Sequence, residues 1–192
     1  GVKLEDKVLY LGVEIDLYIV KPRKILKNIV FLGSLKRRKR VYEFLQLAEK
    51  FPAIIFHIIG DGIDCKSLKI RATKNVIFLG QLNQQEVASI FNKMDLLFLP
   101  SKSEGFPKVI LEAAASGIPS IVYSDYGASE WIEDGENGFV INNFEHSITI
   151  IERLIDNKTS LIKSSKGAAL LAKRFDWKSV VKGWEMVICN LR

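Results

Sequence analysis

Two glutamates carry the most specific chemical signal in this chain. Glu104 and Glu112 lie eight residues apart in the segment Glu-Gly-Phe-Pro-Lys-Val-Ile-Leu-Glu-Ala-Ala-Ala-Ser-Gly-Ile-Pro, residues 104–119. Carboxylates accept hydrogen bonds from paired hydroxyls, and charge-assisted bonds of that kind are the stronger ones. Glu112 is the only charged residue from Val109 to Tyr123. A lone carboxylate among apolar neighbours is costly unless a partner satisfies it. Glu104 stands upstream, in the loop that follows the apolar run Leu96-Leu-Phe-Leu-Pro100. One acid in an approach loop and one inside a helix bracket a helix N-terminus, whose N–H groups attract phosphate. The plainer alternative is that Glu104 caps the helix and Glu112 is a half-exposed surface acid.

The elements that must position these acids are legible around them. Pro107 suits the first turn of a helix, Gly117 its C-cap, and Pro119 stops it. Short apolar runs at residues 29–32, 54–59, 76–79, 96–99 and 118–122 resemble strands buried on both faces. Helical stretches at about 39–51, 62–72, 84–93 and 107–116 alternate with them, and residues 139–141 add a sixth strand. Such alternation predicts an α/β fold, a parallel sheet flanked by helices, with ligands at the carboxyl ends of the strands. Residues 144–156, 160–174 and 177–190 read as C-terminal helices. The last has Trp177, Val180, Val181, Trp184 and Val187 on one apolar side. Trp131, Trp177 and Trp184 are expected to pack. The stretch Val8–Val13 fits either a strand or a linker.

A second chemical signal is the run Lys36-Arg37-Arg38-Lys39-Arg40. It follows the first core strand and opens the next helix, so it shares a rim of the sheet with residues 101–106. Cations there would stabilise a leaving group that gains negative charge. A solvated loop or a membrane-facing patch are the alternatives for its members other than Lys39. The whole chain of 192 residues carries a net charge of +6, which favours an anionic partner without choosing among nucleotide, membrane and nucleic acid. Exposed basic residues without interleaved aromatics argue against nucleic acid. Cys65 and Cys189 form neither metal spacing nor a disulfide framework, which points to a reducing interior. No Asp-x-Asp pair offers a metal clamp, and no apolar run reaches membrane-spanning length. Gly1 in place of Met suggests a domain excised from a longer protein.

The segment around Glu104 and Glu112 resembles the E-x7-E signature of retaining glycosyltransferases of the two-domain GT-B architecture, in particular the family-4 group. Further pieces fall in the family's order: Gly33-Ser34-Leu35 with Lys39, Phe56 to Gly62, Asn75 to Leu82, Gly127-Ala-Ser-Glu130, Asp134 to Val140 and Phe175-Asp-Trp177. The resemblance covers most of the chain from about residue 29 onward. It implies one half of a GT-B fold: residues 1–28 a segment from the other half, residues 29–174 a Rossmann-like nucleotide-sugar-binding domain, and residues 175–192 a crossing helix. It implies transfer of a hexose-like unit from a UDP- or GDP-sugar, as substrate and not cofactor, to a glycan or lipid-linked acceptor. Cytoplasmic assembly of bacterial polysaccharide follows, possible peripheral membrane contact included, with the acceptor half absent from this chain.

By that resemblance Glu112 takes the ribose hydroxyls and Glu104 those of the transferred sugar. Amides at Phe106 and Lys108 face the distal phosphate, and Gly105 belongs to the same loop. Similar enzymes place an Arg directly after the strand glycine and a Lys about five residues on. Here Lys39 fits the second position and Ser34 stands at the first, so Arg37, Arg38 or Arg40 are candidates to reach the diphosphate. Leu82 neighbours the base and Gly127 the sugar pocket. His57, within a strand, reads as a satisfied core or rim histidine. Two other readings stay open: a nucleotide-sugar epimerase of the same shape, and a non-catalytic anion- or membrane-docking module.

Overall fold

A computed structural model describes residues 11–105 and 107–190, the side chains of 187–190 excepted. Six strands form one parallel sheet: β1 (Asn28–Leu32), β2 (Ile55–Ile59), β3 (Val76–Gly80), β4 (Leu96–Leu99), β5 (Ser120–Tyr123) and β6 (Phe139–Ile141). Their spatial order is β3-β2-β1-β4-β5-β6. β1 pairs β2 over its whole length, Asn28 with Ile55 to Leu32 with Ile59, and flanks β4 on its other side. The order therefore reverses between β1 and β4. Right-handed crossovers then send the connecting helices to opposite faces, and a crevice opens at the carboxyl ends of those two strands.

Every residue of β4 and β5 is buried. Central strands covered on both faces must be apolar throughout, which is why their sequences do not alternate. Phe44 is the hinge of the core on one side: its ring meets Phe31 at 6.1 Å, Phe56 at 5.2 Å and Phe98 at 6.3 Å. At the rim, Gly60 lies so close to the first strand's end that a Cβ would stand 2.0 Å from the Gly33 carbonyl oxygen. No other residue permits that approach.

Helices α1 (Val41–Lys50), α2 (Cys65–Arg71), α3 (Gln84–Phe91) and α4 (Lys108–Ala115) connect the strands. α5 (Phe144–Asp156), α6 (Lys158–Arg174) and α7 (Trp177–Asn190) complete the chain. Two boundaries differ from the sequence expectation for a physical reason. α1 begins at Val41 and not at residue 39, because Arg37–Lys39 makes a separate 3-10 turn and Arg40 enters the left-handed region at φ 48. Pro107 is the N-cap of α4, at ψ 101, and not part of its first turn. Its fixed φ suits either place.

The segment before β1 packs onto the domain. Val13, Tyr18, Arg23 and Leu26 are buried. The Arg23 guanidinium donates to the carbonyls of Phe91 (3.0 Å), Asn92 (3.0 Å) and Ser116 (2.9 Å). It thus satisfies the carboxyl ends of α3 and α4 together, where a cation also meets two helix dipoles. Val13 exchanges backbone bonds with Phe175 and Trp177, at 2.8 Å and 3.1 Å, and so ties this segment to the start of α7. Residues 8–10 of the expected strand or linker lie outside the described residues. Trp131 is buried as expected, whereas Trp177 and Val181 remain 36% and 41% exposed. Trp177 still packs on the segment before β1, where a Cβ on Gly12 would stand 2.7 Å from its ring. Cys65 is a free thiol.

Candidate functional site at the carboxyl rim of the sheet

The crevice between β1 and β4 is bounded by the two loops that leave them. From β1 come Gly33, Ser34 and the basic run; from β4 come residues 100–107. Three contacts join the loops across 65 or so residues of sequence. The Lys102 N–H donates to the Arg38 carbonyl at 3.1 Å, Arg38 Nη1 donates to the Ser103 carbonyl at 3.1 Å, and the Lys39 ammonium pairs with the Glu104 carboxylate. Lys39 is buried although its neighbours Lys36, Arg37 and Arg38 are exposed. The 3-10 turn explains this, since three residues per turn aim Lys39 inward while its predecessors face water. A buried ammonium requires a close counter-charge, and Glu104 supplies it.

Around this pair lie polar groups held away from water. Ser101 is fully buried, and among the described residues its hydroxyl and that of Tyr126 meet no hydrogen-bond partner. Burial, with the charges of Glu104 and Asp125, pushes the Tyr126 phenol far above its ordinary value. Tyr126 therefore stays a neutral donor beside Glu104.

Glu112 sits four residues along α4 from Lys108, whose Nζ is 3.8 Å from its carboxylate. Burial holds its carboxyl above the usual range, with Lys108 opposing that shift. Tyr18, from the segment before β1, is pushed up to about 12 by burial and then by the charge of Glu112. The lone acid of α4 is thus strained by desolvation and only loosely paired with a half-exposed lysine.

Beside the crevice, Gly33 and Ser34, Gly60 and Asp61, and Gln81 and Leu82 line a hollow of about 320 Å³ over the ends of β1, β2 and β3. Ser34 and Leu82 therefore share one cavity. Arg40 goes elsewhere: its guanidinium stands 3.6 Å from Asp125 and 3.9 Å from Glu43, and lies over the Tyr123 ring at 4.8 Å. Glu43 is buried, held above the ordinary carboxylate range by burial, and accepts the Tyr123 hydroxyl at 2.7 Å. That cluster locks the left-handed turn at Arg40, so this arginine braces the loop that aims Lys39. Gly127 adopts φ 74 between two 3-10 turns, Ser124–Tyr126 and Ala128–Glu130. Gly105 lies in the loop before α4, and Phe106 falls outside the described residues. His57 shares a 3.1 Å hydrogen bond with Asn28, and burial lowers its pKa. Among the described residues no group of three or more His, Cys, Asp or Glu side chains could hold a metal ion.

Tyr18, Arg23, Glu43 and Tyr126 were invisible to sequence reasoning. Each acts through a partner far along the chain, and no local spacing marks it.

A parallel sheet whose order reverses at the centre, with a lysine–glutamate pair at that reversal, defines a doubly wound α/β domain with a crevice at the carboxyl ends of its central strands. Residues 20–170 match the family model described as Glycosyl transferases group 1. The chain belongs to that family. An uncharacterized glycosyltransferase of Haemophilus influenzae is 27% identical over 174 residues, which cover 84% of this chain and 49% of that protein. The O-antigen biosynthesis glycosyltransferase WbnH of Escherichia coli is 29% identical over 163 residues, 81% of this chain and 47% of WbnH. The crystal structure of Anabaena HepE, in complex with UDP and glucose, superposes with a TM-score of 0.83 at 22% identity. It is matched over 95% of this chain and 56% of HepE, a likeness of fold. The chain spans about half the length of these relatives.

Proposed function

We propose that this chain is the donor-binding half of a retaining glycosyltransferase. The whole protein would move a hexose-like unit from a UDP- or GDP-sugar to a glycan or lipid-linked acceptor, in bacterial polysaccharide assembly on the cytoplasmic side. The observation that carries the reading is the meeting of Lys39 and Glu104 in the crevice where the sheet order reverses. HepE was crystallised with UDP and glucose, and WbnH is named for O-antigen biosynthesis, which agrees with the donor and pathway proposed.

Each residue then has a task. The base and ribose lie along the hollow of Ser34 and Leu82, with Glu112 accepting from the ribose hydroxyls. The diphosphate lies across the amino end of α4, beside Lys108 and the amides of the preceding loop. Lys39 faces it, and Glu104 accepts from the hydroxyls of the transferred sugar. As the bond between the anomeric carbon and the diphosphate oxygen breaks, negative charge grows on the leaving group. Lys39 and the helix dipole stabilise that charge most where it is largest, in the transition state. The acceptor hydroxyl enters on the face the diphosphate leaves and passes its proton to the departing phosphate oxygen, so configuration is retained.

A panel of UDP, GDP and their sugars, scored by melting temperature, tests this. One nucleotide should raise the melting temperature, and Glu112→Ala should remove that rise. A panel in which no nucleotide stabilises the domain would end the donor reading.

A further inference from the structure

Lys36 and Arg37, the exposed start of the basic run, and helix α2 form one surface beside the crevice. The loop after β1 is knitted to the loop after β2 by two backbone bonds: the Leu35 N–H donates to Asp61 at 2.9 Å, and the Asp64 N–H donates to Leu35 at 3.1 Å. This places Lys36 and Arg37 beside the start of α2. Lys36, Arg37, Tyr42, Ser67 and Arg71 line a shallow basin of about 220 Å³ between α1 and α2, with Asp64 at its edge.

α2 buries only a narrow face, Leu68 with the half-buried Cys65 beside it. Of its residues only Leu68 is buried. Ile70 is 85% exposed, and Ile63, in the turn that leads into the helix, is 87% exposed. Single exposed isoleucines need no account. Ile70 stands two residues on from Leu68, so it lies on the opposite face of α2, with Lys66 one turn before it. Ile63 sits in the turn just before the helix and adds a second bare apolar side chain at its start. Lys66, Lys69 and Arg71 accompany these isoleucines, all exposed, and Lys69 lies over the Phe78 ring of β3 at 5.7 Å. Against five cations, Lys36, Arg37, Lys66, Lys69 and Arg71, stand Asp61 and Asp64. Asp61 already accepts the Gly62 N–H at 2.7 Å.

We infer that this surface docks on an anionic lipid bilayer. Isoleucines bare to water among flexible cations match the interfacial region of a membrane. There the apolar tips enter the acyl boundary and the ammonium and guanidinium heads meet lipid phosphate. Neither feature alone explains the other. A nucleic-acid groove does not call for the isoleucines, and an apolar protein contact does not call for five cations. Lys39 follows Arg37 by two residues, so docking brings the crevice to the bilayer surface, within reach of a lipid-linked acceptor. That last consequence rests on the donor reading; the docking does not.

The test is co-sedimentation of the full chain with vesicles of phosphatidylglycerol and phosphatidylcholine, and with phosphatidylcholine alone. Binding is expected on the anionic vesicles and falls with salt. The double variant Ile63→Ser, Ile70→Ser should bind those vesicles about tenfold or more weakly with an unchanged melting temperature. The triple variant Lys36→Ser, Lys66→Ser, Arg71→Ser should lose both the binding and its salt dependence. Anionic vesicle binding that ignores the isoleucines, or no vesicle binding, overturns the inference. So does tighter binding to single-stranded RNA, or a dimer that the isoleucine variant abolishes. Nucleotide melting shifts, recorded on the same variants, should be unaltered. Their loss in wild-type protein would sink the donor reading and leave the docking result intact.

Discussion

Helices α4 and α2 both start at the carboxyl rim of the same sheet, yet they spend their side chains in opposite ways. α4 buries Ile110, Leu111, Ala113, Ala114 and Ala115 and packs along α6, and its end is clasped by Arg23. Its one acid, Glu112, is left partly desolvated. α2 buries Leu68 and turns its isoleucine outward. The difference is one of position. α4 follows β4, at the centre of the sheet, where both faces are covered. α2 leads to β3, at the edge, where a helix keeps an outer face. A central helix can hold a functional carboxylate rigidly, because the packing around it is over-determined. An edge helix can hold a surface.

The largest expected contrast is in stability. Leu111→Ala should cost about 2–5 kcal/mol by urea unfolding, through a cavity in a dense core. Ile70→Ala should stay within about 0.5 kcal/mol. Equal costs would mean that α2 is covered after all.

A smaller contrast concerns the basic run. Lys39→Ala should remove about 1.5–3 kcal/mol of nucleotide stabilisation, read as a weakened affinity for UDP by calorimetry, since a charge-assisted contact is lost. Lys36→Ala should leave that affinity unchanged. If both variants weaken UDP alike, the run acts as a diffuse field and not through one aimed ammonium.

The smallest effect is a pH dependence. Burial raises the carboxyl pKa of Glu112, so the folded state holds that proton more tightly than the unfolded chain. Its contribution is most favourable in acid and is lost as pH rises through the raised pKa. Glu112→Gln should therefore melt with the wild type below about pH 4. Well above that raised value it should be the more stable of the two, read as a higher melting temperature. A variant less stable than wild type at neutral pH would show that Lys108 more than compensates the burial. If Glu112 holds the donor as proposed, a gain in stability on its replacement is the trade expected of a functional acid.

Much of the scaffold was legible in the sequence because buried parallel strands are written as continuous apolar runs. β1 to β5 fall on the runs expected of them, and the helices between them follow. The limits were local geometry. Nothing in Arg37–Arg40 announces a 3-10 turn closed by a left-handed arginine, since the five cations look alike in sequence. Only the fold separates buried Lys39 from exposed Lys36, and sends Arg40 to Glu43 and Asp125. An apolar stripe reports that a face can be covered, not how far: Trp177 packs on Gly12 and still keeps 36% of its surface exposed.

By itself, then, the sequence determined the strand–helix alternation, the helix start between Glu104 and Glu112, and the family. These rest on periodicity, proline and glycine, whose effects act within a few residues. Tertiary structure alone decided which cation meets Glu104, that Tyr18 and Arg23 reach back onto α4, and that α2 shows its isoleucines to solvent. Those outcomes depend on which strand lies at the centre of the sheet and which at its edge, and that order is set by contacts between residues scores of positions apart.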